Sequence, residues 1–137
     1  MQFDGFVFGD IEVEVQGRAY DLHNFYRADA INYAVVDRTI LLSFSRRTDD
    51  WVPPEEAKQI TITFYEVSYF STDGRDQSPI GEDDGVIHSI GAVEPDAGTE
   101  AFYLTDNIPH DHHLVVSFKS GLTLRIQASE ARCEIGF

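Results

Sequence analysis

A chain of 137 residues with 42% apolar residues, ten Phe and six Tyr is expected to fold as one domain, because disordered acidic segments are poor in aromatics. Ten basic against 24 acidic residues leave a formal net charge of −14, which repels nucleic acid and anionic membrane and favours a cation or a basic protein partner. No apolar run reaches the roughly 18 residues of a membrane span, Met1-Gln2-Phe3-Asp4-Gly5 lacks the basic and apolar parts of a secretory leader, and the lone Cys133 allows no internal disulfide, so a cytoplasmic location is expected.

The dominant hydrophobic period is two, the mark of strands. A weak strand is expected over 3–8. Ile11-Glu12-Val13-Glu14-Val15 then alternates apolar residues with carboxylates, as a strand with one wet face does. Asp21-Leu22-His23-Asn24-Phe25-Tyr26 offers an N-cap residue and apolar residues at helical spacing, enough for one turn. Strands over 31–36 and 39–45 are joined by a turn at Asp37-Arg38, which opposes Val35 to Ile40, Tyr33 to Leu42 and Ile31 to Phe44. Pro53 to Lys58 suits a second helical turn. Ile60, Ile62 and Phe64 face away from Thr61, Thr63 and Tyr65, and a weaker strand follows over 66–70.

Residues 71–85 read as a long acidic loop, and loops of that length are usually functional or disordered. Weaker strands are expected over 86–93, 101–104 and 131–135. Leu114, Val116 and Phe118 make one apolar face, and Leu122, Leu124 and Ile126 another, with Thr123, Arg125 and Gln127 outward. A three-residue loop, Lys119-Ser120-Gly121, opposes Phe118 to Leu122, Val116 to Leu124 and Leu114 to Ile126, and puts Gly121 where the chain turns left-handed. The fold class is therefore all-β: one antiparallel β-sandwich or partly open barrel of roughly eight to eleven strands, with at most one or two short helical turns.

Chemistry is harder to place. His110-Asp111-His112-His113 is the densest run of metal-ligating side chains; on an extended chain His110 and His112 point the same way and could chelate a divalent ion, with His88 or His23 as third ligand. The competing reading is a solvated turn after Pro109. Asp73-Gly74-Arg75-Asp76 and Glu82-Asp83-Asp84-Gly85 supply hard oxygen atoms of the kind calcium takes, but Arg75 breaks the EF-hand spacing, and a solvated loop competes here too. There is no Gly-x-Ser-x-Gly elbow and no phosphate-cradling glycine loop, and Cys133 in Arg132-Cys133-Glu134 suits a half-buried strand cysteine, so no enzyme is expected. Trp51, between Asp49-Asp50 and Val52-Pro53-Pro54, is either a partner anchor or a lid on one end of the core.

Ile60-Thr61-Ile62-Thr63-Phe64-Tyr65-Glu66-Val67 is similar to a strand ending in F-x-x-V, and residues 114–128 resemble an L-x-V-x-F-x-S-G-x-x-L-x-I-x-A hairpin. Both elements resemble those of small, acidic, all-β bacterial proteins, some of them assigned as immunity proteins of toxin–immunity systems. That resemblance implies a cytosolic binding protein and carries over no site residue.

Residues 71–111 hold ten of the acids against one base, Arg75. The leading expectation is a non-enzymatic protein that engages a basic partner through this region, with Trp51, Asp73, Asp76, Glu82, Asp83 and Asp84 in contact, as an immunity-type inhibitor would. The alternatives are a divalent-metal protein using His110, His112 and His88, and an oligomer-forming module pairing its edge strands.

Overall fold

The computed structural model describes residues 1–76 and 80–137, and nothing of the Glu82 side chain. Among the described residues there are twelve strands: β1 (Gln2–Asp4), β2 (Phe6–Phe8), β3 (Glu12–Val15), β4 (Arg18–Asp21), β5 (Tyr26–Ala34), β6 (Thr39–Arg46), β7 (Gln59–Tyr65), β8 (Tyr69–Asp73), β9 (Ile87–Val93), β10 (His113–Phe118), β11 (Thr123–Gln127) and β12 (Glu130–Gly136). They form open sheets of order β1-β12-β7-β6-β5, β8-β11-β10-β9 and β2-β3-β4. The protein is all-β, as expected, with no closed barrel; every pairing is antiparallel except the parallel β1–β12. Two short 3₁₀ turns, Glu82–Gly85 and Thr99–Ala101, are the helical content of the described residues.

Period-two patterning builds the core. Ile40, Leu42 and Phe44 of β6 and Ile60, Ile62 and Phe64 of β7 are buried and share one cluster with Leu114, Val116, Leu124 and Ile126 of the second sheet. Phe6, Phe8, Val13 and Tyr20 of the third sheet join the same cluster. Full burial of each such side chain contributes about 1.5–3 kcal/mol. Tyr26 is also buried, and its one hydroxyl proton is shared between Ala57 O at 3.0 Å and Glu56 Oε2 at 3.1 Å. Those bonds tie the 53–58 segment down as a turn without helix, a correction to the expected helical turn. At Asp21 the expected capping bonds are present, with Oδ1 accepting the Asn24 N–H at 2.8 Å and the Phe25 N–H donating to Asp21 O at 3.1 Å, but residues 22–25 make a plain turn and no helix, a second correction of the same kind.

The β10–β11 hairpin has the expected register, with Leu114 opposite Ile126 and Val116 opposite Leu124. Phe118 N–H donates to Leu122 O at 2.8 Å, and Gly121 turns at φ +93°. The β5–β6 register differs from expectation: Tyr33 faces Ile40 and Ile31 faces Leu42, two residues along. A two-residue turn at Asp37-Arg38 needs positive φ at both positions, and only Arg38 has it, so the loop lengthens to four residues and leaves Val35 and Val36 exposed. A shift of two keeps every side chain on its own face. A bulge at Asp29, between Ala28 and Ala30, then shifts the register by one further residue, so that Ala28 faces Phe44.

Three further expectations are corrected. β8 runs to Asp73 and the turn Glu82–Gly85 follows, so 71–85 is no continuous loop. Residues 101–104 hold one bridge, Ala92 to Tyr103, in place of a strand. β4 was absent from the periodicity because only Tyr20 of its four residues is buried; Gln16 and Gly17, both at positive φ, make the tight turn that leads into it.

Two sheet edges, β9 and β5, are covered or bent. On β9, Ile90 N–H donates to Asp10 O at 2.6 Å and Ala92 exchanges bonds with Tyr103 at 2.8 and 2.7 Å, while β5 carries the bulge. Gly121→Ala should lower stability by about 1–2 kcal/mol, from positive φ and from a Cβ that would stand 3.0 Å from Asp76 Oδ1. Urea midpoints check this; an unchanged midpoint would contradict the turn geometry.

Candidate functional site

The turn Glu82–Gly85 is wedged between β5 and the end of β10. Gly85 permits this, since a Cβ there would stand 2.9 Å from Ala28 O and overlap Arg27 Cγ. Carbonyls of the turn and of the residue after it then cap the next hairpin: Ser120 N–H donates to Asp83 O at 3.1 Å and Lys119 N–H to Val86 O at 2.8 Å. Arg75 Nε lies 2.6 Å from Asp84 Oδ1, and this bond is the main cause holding the Asp84 carboxyl below the usual range. Lys119 Nζ lies 3.6 Å from Asp83 Oδ1, with both groups well exposed.

Three hollows surround the turn. A cleft of about 550 Å³ between β5 and the β10–β11 turn is lined by Arg27, Asp29, Ile31, Arg75, Phe118 and Leu122, among others. A small hollow of about 60 Å³ lies between Arg27, Arg47, Asp49 and Val86. A pocket of about 200 Å³ is bounded by His23, Asn24, Arg47, Trp51, Asp83 and Lys119. Arg27 lines the first two and Arg47 the last two, so the hollows adjoin along one stretch of surface. It gathers Arg27, Arg47, Arg75 and Lys119, four of the ten bases, along an acid-rich turn. The surface here is mixed in sign, a correction to the one-signed face that the local sequence suggests.

Of the expected partner-contact residues, Trp51 and Asp83 share the 200 Å³ pocket and Asp84 lines the adjoining cleft. Trp51 is 57% exposed, with its ring tilted against Phe25 at a centroid distance of 6.1 Å. Asp73 ends β8 and is exposed; Asp76 is exposed beside Gly121, its N–H donating to Ser120 O at 2.8 Å. The Glu82 side chain lies outside the described residues.

The expected metal set is not assembled. His88 is exposed on β9, five residues from Val93, which pairs with His113; at about 3.4 Å per residue that is ~17 Å. His110 is exposed, and His112 Nδ1 is hydrogen-bonded to the Tyr103 hydroxyl at 2.6 Å. Among the described residues no three of His, Cys, Asp and Glu stand together as ligands. Cys133 is half-buried on β12, and burial pushes its thiol up to about 12.

Local sequence gave no sign of the device that holds residues 94–97. Arg125 faces the outer side of its sheet, but that side is covered. Its guanidinium donates to Ala97 O at 2.6 Å, Pro95 O at 2.7 Å and Glu94 O at 2.9 Å, and its Nε to His113 Nδ1 at 2.7 Å. His113 is buried and stacks on Tyr69 at 4.7 Å. Arg27, Arg47 and Lys119 were missed as site residues because they come from separate segments that no spacing rule links, and His23 was singled out only as a metal ligand.

No family model, curated protein or solved structure matches this chain. Among the described residues no helix is long and apolar enough to cross a membrane.

Burial, then the Arg125 charge, lowers the His113 pKa from its ordinary 6.5. The unfolded chain thus binds a proton that the folded chain resists, so this contribution to stability is full above about pH 6.5 and is lost as pH falls through the lowered value. The stability advantage of the parent over His113→Gln should shrink between about pH 7.5 and 5.5. Urea unfolding at both pH values checks this; an advantage that grows on acidification would contradict it.

Proposed function

We propose that this chain is a non-enzymatic binding protein that engages a basic protein partner through the face around Trp51 and the turn Glu82–Gly85, in the manner of an immunity-type inhibitor. The observation that carries the reading is Trp51: the sole tryptophan stands 57% exposed beside Asp83, at the rim of a pocket. Exposed tryptophans next to a hollow are the side chains that dominate protein interfaces when covered. Asp49, Asp50 and Asp83 around it are exposed. With a net charge of −14 they would speed encounter with a basic surface, an effect that salt screens. Asp84 has a different part, since its bond to Arg75 steadies the turn.

The test uses a basic partner recovered by pull-down with the intact chain. Trp51→Ala should weaken its binding by about tenfold or more. Asp83→Asn should slow association at low salt while leaving dissociation nearly unchanged. Binding by Trp51→Ala as tight as the parent's would contradict the reading.

A further inference from the structure

The pocket beside Trp51 is furnished for a ligand of its own. Arg47 is fixed in advance: its Nε donates to Tyr26 O at 3.2 Å and its Nη2 to His23 O at 3.3 Å, and its backbone N–H donates to Phe25 O at 2.8 Å. Nη1 has no partner among the described residues. His23 donates Nδ1–H to Ile87 O at 2.5 Å, which leaves Nε2 as the ring atom open to a ligand. Asn24 is anchored through its Nδ2 to Asp21 Oδ2 at 2.7 Å, leaving its Oδ1 unengaged among the described residues. Lys119 and Asp83 are 3.6 Å apart and well exposed, a loose pair that a ligand can enter. One face of Trp51 leans on Phe25, and more than half of the residue stays open.

We propose that this pocket binds a small phosphorylated sugar, with the phosphate between Arg47 and Lys119, the sugar ring on Trp51, and the hydroxyls donating to Asp83, Asn24 Oδ1 and His23 Nε2. Two cations of this kind suit a phosphate, which accepts charge-assisted bonds from a guanidinium and an ammonium together. A bare anion would gain nothing from the carboxylate in the same wall, whereas a hydroxyl donates to it. At about 200 Å³ the pocket is smaller than the roughly 300–1,000 Å³ of drug-sized sites, room for one ring with its phosphate. The same chemistry is offered by a free sugar phosphate and by the sugar-phosphate part of a mononucleotide. The inference goes beyond the partner reading and needs no partner, so either can fail alone.

Because Trp51 is the sole tryptophan, its fluorescence reports on this pocket. The full chain is titrated with ribose 5-phosphate, adenosine monophosphate, ribose and inorganic phosphate. A saturable change is expected with at least one phosphorylated sugar, at about tenfold lower concentration than with ribose or phosphate alone. Tighter binding of ribose 5-phosphate assigns the free sugar phosphate, and tighter binding of adenosine monophosphate the nucleotide. Lys119→Gln, at an exposed position, should weaken the response about tenfold with an unchanged melting temperature. The proposal is overturned if neither phosphorylated sugar gives a saturable change, if inorganic phosphate binds as tightly as both (an adventitious ion only), or if Lys119→Gln binds like the parent.

Discussion

The close seat of Gly85 against β5 is the contact on which the candidate site depends. Only a residue without a Cβ lets the turn Glu82–Gly85 come within reach of Ala28 O and the Arg27 stem. From that seat the turn and the residue after it offer Asp83 O and Val86 O to the amides of Ser120 and Lys119, which fixes the β10–β11 turn against them. The chain then passes to Ile87, whose carbonyl sets the orientation of His23. One wall of the Trp51 pocket and one wall of the larger cleft are thus both built from the flanks of a single four-residue turn.

Charge acts here on two length scales. At long range, a net −14 gives a field that favours positive partners whatever the local arrangement. At contact range the acids at 83 and 84 are met by Lys119 and Arg75, and the 94–97 segment is held by Arg125 through its carbonyls. Exposed pairs such as Asp83–Lys119 contribute about 0–1 kcal/mol to stability. Their consequence is for recognition: the groove presents donors and acceptors side by side, where the acid-rich sequence suggests acceptors alone.

Most of the fold was legible because burial imposes a period on the chain. Ile60, Ile62 and Phe64, or Leu122, Leu124 and Ile126, declare their strand and its wet face without reference to anything distant. Gly121 declared its hairpin register in the same local way. What was not legible depends on partners far along the chain. Arg125 reads as an outward strand residue until residues 94–97 are laid over it, 28 residues away at Ala97. The four bases of the groove come from β5, the residue just after β6, the segment after β8 and the β10–β11 turn, and no spacing rule links them. Trp51 and Asp83 could each be singled out for chemistry, but only the packing of the turn brings them to one pocket.

Amide hydrogen exchange in Gly85→Ala probes the seat most directly. The Lys119 and Ser120 amides, which Val86 O and Asp83 O hold, should exchange faster than in the parent, while amides of the central β6–β7 ladder keep their protection. Unchanged protection at Lys119 and Ser120 in a folded Gly85→Ala protein would contradict the account.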